Sequence, residues 1–240
     1  MKYERYTNLA ELFVFPGPEY ALRARSLVIE LREKYPKAAA EIQRFVEGIP
    51  EKTLDMQELY TRTFDVQSLT TLDVGYVLFG DDYKREELLA NLNREHLQAD
   101  NDCRGELADH LPNVLRLIPL LPRDESGEGL VAELVSDILV PALMLMIREF
   151  DSERIEKKNA SYKKHYKTLI DSAPGNDLTI YCRTLKALLE VLTVDFNAGE
   201  IVTKISDWSS RPQTADFLGL VEREMEIETN ANPVNSGCDT

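Results

Sequence analysis

Cysteine is scarce in this chain. Cys103, Cys182 and Cys238 stand far apart and no CxxC pair occurs, which excludes a disulfide framework and fits a reducing compartment. Basic charge is short as well: Lys and Arg total 28 against 42 Asp and Glu, a formal net charge of −14. Nucleic-acid binders displace counterions from phosphates with basic side chains, so no nucleic-acid partner is expected. An anionic membrane surface is disfavoured on the same ground, whereas a basic peptide would be drawn in by the negative field. Glycine and proline contribute 11 residues each, too few for a loop-rich β protein. The N-terminal MKYERYTNLAELFVFPG carries Glu4 and Glu11 and has no sustained apolar stretch, so it does not read as a signal peptide. The longest apolar run, 138–147, holds ten residues with Pro141 inside it. A spanning helix takes about 20, so this run predicts a buried helix, no stable membrane insertion and a soluble, cytoplasmic protein.

The familiar catalytic signatures are missing too. There is no GxxxxGK[ST], no GxGxxG after a strand, no GxSxG and no HExxH, which removes the standard phosphate loops, nucleophile elbows and zincin helices. His96, Cys103 and His110 are spaced by seven, but a structural zinc site takes four ligands with close pairs, so no metal is expected. Cys103 sits between Asp102 and Arg104 with no evident base. Nothing in the sequence makes a positive case for an enzyme.

What remains is helical. Hydrophobic residues make up 43% and charged residues 29%, with 33 leucines, an ordinary globular balance. The periodicity predicts an all-α protein: a single compact multi-helix domain over 1–205 and a flexible acidic C-terminal tail over 206–240, partly disordered at its end. Leu9, Leu12 and Phe13 close a first short helix before Pro16-Gly17-Pro18. Leu22, Leu27, Ile29 and Leu31 mark a second, and Pro36 opens a third. Asp82 is placed to cap a helix over 83–99, and Pro112 to begin another whose apolar stripe is Leu111, Val114, Leu115 and Ile118. The strongest pattern, 130–150, predicts a central core helix kinked near Pro141. A charged helix follows over 152–171 and a last core helix over 177–194. Residues 74–79 are the one weak strand candidate, and 123–129 and 174–176 read as linkers. Charge is uneven: 153–167 carries six Lys/Arg against two Glu, and 207–240 seven Asp/Glu against two Arg. Both read as solvated surfaces, or as partners for each other.

The informative stretch is 59–112. It contains LYTRTFD, then LFGDD, then GELADHLP. Tyr60 and Phe64 are four apart, on one helix face. Gly80-Asp81 reads as a helix stop followed by a cap. Glu106, Asp109 and His110 gather two carboxylates and an imidazole before a helix start, where Asp109 serves either as the cap of 112–120 or as part of an acidic rim for a cationic ligand.

At these residues the chain resembles the redox-enzyme maturation chaperones of the nitrate reductase delta (NarJ) and TorD/DmsD type. The resemblance rests on the order YTRTFD, Ser68-Leu69, a helix ending in Gly80-Asp81, a helix of about 17 residues and the ELADHLP turn. Arg85 stands in for an Arg-Gly that the nitrate reductase branch carries after its Gly-Asp, and Ala108 replaces the first Pro of the usual run. The resemblance implies a cytoplasmic, non-enzymatic, all-helical chaperone without a cofactor of its own. Its partner would be the N-terminal segment, a twin-arginine signal or its remnant, of a molybdenum oxidoreductase catalytic subunit, with nitrate reductase the leading client. Such a peptide needs an apolar groove for its helix and carboxylates for its guanidinium groups. The candidate groove wall is Tyr60, Phe64, Tyr76 and Phe79, residue types that serve equally as core. The candidate rim is Asp81, Glu106 and Asp109, with Arg85 beside it and His110 adding a pH-dependent hydrogen bond. The rival readings are a permanent helical adaptor of a respiratory complex and an enzyme acting on a nucleotide-like ligand.

Overall fold

Helix starts in this chain are set by local chemistry. Pro36 and Pro112 stand in first turns, where a missing N–H costs nothing. The Asp82 and Asp124 side chains accept from Lys84 N and Gly127 N. The computed structural model describes residues 3–165 and 177–206. Among these residues the helices are α1 Arg5–Ala10, prolonged by a 3₁₀ turn Glu11–Phe13, α2 Tyr20–Leu31, α3 Pro36–Glu47, α4 Thr53–Phe64, α5 Val74–Phe79 and α6 Tyr83–Gln98. They continue as α7 Leu111–Leu117, α8 Glu125–Arg148, α9 Ser152–His165, α10 Tyr181–Phe196 and α11 Gly199–Ser206. The described residues contain no strand; one isolated antiparallel bridge joins Asp73 to His110. The expected all-α architecture is therefore what the chain forms. The linker 174–176 and the acidic segment from 207 onward lie outside the described residues, as does any pairing of that segment with the basic helix.

One hydrophobic core unites the helices. Helix α10 packs on α3 and on the second half of α8; α3 packs on α2, α1 on α7, and α5 on α8. Tyr60 and Phe64 of α4 and Phe45 of α3 meet Tyr181 of α10 at ring separations of 6.0, 5.0 and 5.5 Å. In α8 the turn ahead of Pro141, Leu134–Leu139, is π-helical. Proline lacks an N–H and its ring crowds the carbonyl one turn back, and the wider turn accommodates that. Helix α8 runs 24 residues with mean hydropathy 2.1 over its most apolar window, long and apolar enough to cross a membrane. Half of that window is buried inside the protein, with Leu139, Val140, Leu143 and Met146 filling the core, as in the core helix of a soluble domain.

Two local expectations are corrected, and one helix face is resolved. Leu22 and Ile29 are 62% and 72% exposed, because the buried positions of α2 are Tyr20, Ala24, Leu27, Val28 and Leu31. That set follows the 3.6-residue period and leaves the other two apolar side chains on the outer face. Residues 74–79 are helix, not strand; Val74 N is taken by Asp109 O and the helix stops at Gly80. The linker 123–129 contains the start of α8 instead, since the cap is Asp124.

The basic helix α9 is more than a solvated face. Lys158 and Tyr162 are buried. Lys158 Nζ donates to Leu69 O and reaches Glu149 Oε2 at 3.3 Å, Arg154 donates twice to Glu149 Oε1, and Tyr162 Oη donates to Ser68 O. Helix α9 thereby fixes the 66–72 loop that leads into α5.

Candidate functional site

The YTRTFD segment forms the end of α4 and its exit turn. Thr63 Oγ1 donates to Leu59 O at 2.6 Å, and Thr63 O accepts from Leu69 N and Thr70 N. The Arg62 guanidinium reaches back to Val66 O and Gln67 O, 3.2 Å each. These bonds close the turn and leave Asp65 at the C-cap position of the helix.

The ELADHLP segment is held with equal care. Arg104 and Gly105 take left-handed backbone, φ 54° and 85°, a turn that glycine permits without strain. Asn113 Nδ2 donates to Cys103 O and Leu107 O. Asn101 Nδ2 donates to His96 Nδ1 at 2.9 Å, so His96 carries its hydrogen on Nε2 and donates to Ala108 O at 3.0 Å. The Asp73–His110 bridge then adds Val74 N to Asp109 O and Leu111 N to Leu72 O. Burial pushes the His96 imidazole below its ordinary value, against the opposing hydrogen bond to Ala108 O. The unfolded chain therefore binds a proton that the folded chain refuses. The stabilisation is complete above about pH 6.5 and is lost as pH falls from there through the folded-state value. Thermal melts across that window should show the decline, and His96→Gln should flatten it; an unchanged slope would remove His96 as its source.

The two segments meet the chain at 13–15 around an open cleft of about 500 Å³. Its walls include Phe15, Tyr60, Asp65, Glu106, His110 and Arg116. Phe15 is 55% exposed and stands edge-on to Tyr60 at 5.5 Å; Tyr60 Oη donates to Phe13 O at 3.1 Å. Asp65 keeps solvent access, but partial burial of its carboxyl, then the Glu106 charge, push its pKa up against the opposing pull of His110. Burial, then Asp65 and Glu106, push the Tyr60 phenol up as well. Like charges thus crowd one end of the cleft. Arg116 is engaged elsewhere, 3.0 Å from Glu11, which also holds Arg23 at 2.7 Å. Arg104 lies at the exposed edge.

The nine residues expected at the site divide. Tyr60, Glu106 and His110 line the cleft. Phe64 is core, 4% exposed against Tyr181. Tyr76 and Phe79 are half-buried in α5 and are not among the cleft residues. Asp81 is exposed but outside the cleft. Asp109 belongs to no rim and caps nothing: its side chain is 0% exposed, and α7 has no side-chain cap. It pairs with Arg85, whose Nε is 3.1 Å from Asp109 Oδ2 and whose second nitrogen is 3.1 Å from Asp73 Oδ2. Arg85 is therefore held inside the protein and not presented to a ligand. Burial, then the Asp73 charge, raise the Asp109 pKa against the pull of Arg85. Gly75 makes the pair possible, since a Cβ there would lie 2.6 Å from Asp109 Oδ2. Sequence reading missed Asp65, Phe15 and Arg116. Asp65 closes the YTRTFD motif itself, and the exposed Phe15 precedes Pro16; those were the available signals.

Among the described residues no group of three or more His, Cys, Asp or Glu is arranged to hold a metal ion. No protein-family model matches the chain, and no curated protein or solved structure is significantly similar to it.

Proposed function

We propose that this protein is a cytoplasmic maturation chaperone for a molybdenum oxidoreductase, nitrate reductase being the leading client. It binds the N-terminal twin-arginine signal, or its remnant, of the catalytic subunit and supports cofactor insertion before export or membrane attachment. The observation that carries this reading is the convergence of the two motif segments on one cleft. YTRTFD supplies Tyr60 and Asp65, and ELADHLP supplies Glu106 and His110. Carboxylates pair with a guanidinium through directed, charge-assisted hydrogen bonds, and aromatic faces stack on it. Crowded carboxylates beside the exposed Phe15 ring suit an arginine-bearing segment. A covalent mechanism has less support: burial, then the Asp102 charge, raise the pKa of Cys103, the thiol at this cleft, and a raised thiol is a poor nucleophile near neutrality.

The test is calorimetric titration of the full chain with a synthetic peptide bearing two adjacent arginines ahead of an apolar helix. Binding should be one to one and should weaken as salt is raised. The same peptide with both arginines replaced by glutamine should bind at least about tenfold more weakly. Equal affinity for the two peptides would overturn the reading.

A further inference from the structure

His110 lines the cleft, and the ion pairs beside it bear on which of its nitrogens carries the hydrogen. His110 Nδ1 lies 3.0 Å from Asp73 Oδ1. An ionised carboxylate only accepts, so Nδ1 carries the hydrogen, and in the neutral ring Nε2 is a bare acceptor. Asp73 does not choose its orientation alone. Its other oxygen is held by Arg85, and Arg85 is held in turn by Asp109, with the Tyr76 ring 5.0 Å from the guanidinium carbon. Asp109 sits in a closed position: its side chain is wholly buried, in space that a Cβ at Gly75 would take, 2.6 Å from Asp109 Oδ2. Asp73, by contrast, is 26% exposed on its side chain, free to turn toward water once the guanidinium is gone. Of these four residues His110 alone lines the cleft.

We propose that Arg85 is a positioning residue: by clamping Asp73 against the buried Asp109 it fixes His110 in the Nδ1–H form, so that Nε2 stands beside Asp65 and Glu106 as an acceptor for an N–H donor of the bound peptide. The acceptor's part in peptide capture rests on the function proposed above; the tautomer does not. Arg85 itself touches no ligand. The second-layer arrangement resembles the way carboxylates set imidazole tautomers at metal and catalytic sites, where the group behind the ring determines which nitrogen faces outward.

Long-range proton–nitrogen spectra of the ¹⁵N-labelled full chain at about pH 8, where an ordinary imidazole is neutral, read the tautomer directly, with His110→Gln identifying the signals. The parent should show His110 protonated on Nδ1. Asp109→Asn leaves Arg85 on Asp73 and should keep that form. Adding Arg85→Gln to Asp109→Asn removes the cation without stranding a buried carboxylate, and the ring should shift mainly to Nε2–H. Affinity for the two-arginine peptide should then fall about threefold to tenfold. Asp73→Ala, which spares the Arg85–Asp109 pair, should produce the same switch if the double variant folds poorly. An Nε2–H ring in the parent, or an Nδ1–H ring retained in the variants lacking Arg85 or Asp73, overturns the proposal. A tautomer that switches as expected in a protein that never binds the peptide supports the clamp and removes the chaperone reading.

Discussion

Asp195→Ala should lower the unfolding free energy by about 2–4 kcal/mol. Asp195 stands near the end of α10, where the helix dipole disfavours a negative charge, and its side chain is only 4% exposed. It is retained by four donors: Arg5 and the Tyr6 hydroxyl from α1, and Lys34 and the Tyr35 hydroxyl from the α2–α3 turn. Burial alone would raise its pKa, but the hydrogen bonds from Lys34, Tyr35 and Tyr6 and the Arg5 charge outweigh that and hold it below the ordinary carboxylate range. A depressed carboxyl contributes stability that is present above the unfolded value, about 3.9, and lost as pH falls through the folded value. Lys34 is 56% exposed and contributes little as an exposed ion pair. Most of the cost comes from the fully buried Tyr6 hydroxyl, left without an acceptor, and from Arg5. Urea unfolding compares the variants: Asp195→Asn keeps an acceptor and should lose less than Asp195→Ala. A loss below about 1 kcal/mol for Asp195→Ala, the level of an ordinary surface pair, would mean that the cluster does not tie the N-terminal helices to α10.

That cluster also shows where sequence reading runs out. Helix starts were legible because their causes are local: Asp82 bonds two residues ahead, and Pro36 and Pro112 act at their own positions. Asp195 bonds residues 160 to 190 positions away, and no window of sequence contains both ends. The exposure of Leu22 and Ile29 has a related cause. Several apolar residues in α2 fit more than one helical face, and only packing against α3 selects the face of Ala24 and Leu27. The Asp124 cap was hidden by the Ser126-Gly127 and Gly129 that follow it, which look like a linker until the cap is seen.

The site divided along the same line. Both motif segments were identified, and they do meet. What spacing along the chain does not convey is which carboxylate faces out. Asp109 lies three residues from Glu106, yet the bridge to Asp73 turns it inward to Arg85 while Glu106 stays exposed. Asp65 reaches the cleft because the Arg62 and Thr63 bonds fold the exit turn of α4 back on itself. The aromatic pair stays together in the core, both rings packed on Tyr181, and Tyr60 alone also borders the cleft.

Reversing the two cleft carboxylates together, Asp65→Lys with Glu106→Lys, should weaken capture of the two-arginine peptide by about 100-fold or more, because a lost ion pair is replaced by a like-charge contact costing several kcal/mol. Folding should survive. Glu106 is exposed, and Asp65 sits at the C-terminus of α4, where a lysine is favoured by the helix dipole. The partial burial and mutual repulsion that raise the Asp65 pKa show that its charged form is not a source of stability. The necessary control changes net charge equally outside the cleft. Asp81→Lys with Glu87→Lys alters two exposed residues outside the cleft, and screening over a Debye length of about 8 Å should leave the peptide affinity within about twofold. If the control loses as much as the cleft variant, the overall negative field does the attracting and the cleft is not the binding site. A peptide with glutamates in place of its arginines should recover affinity for the cleft variant alone, a swap that charge steering by the whole surface cannot reproduce.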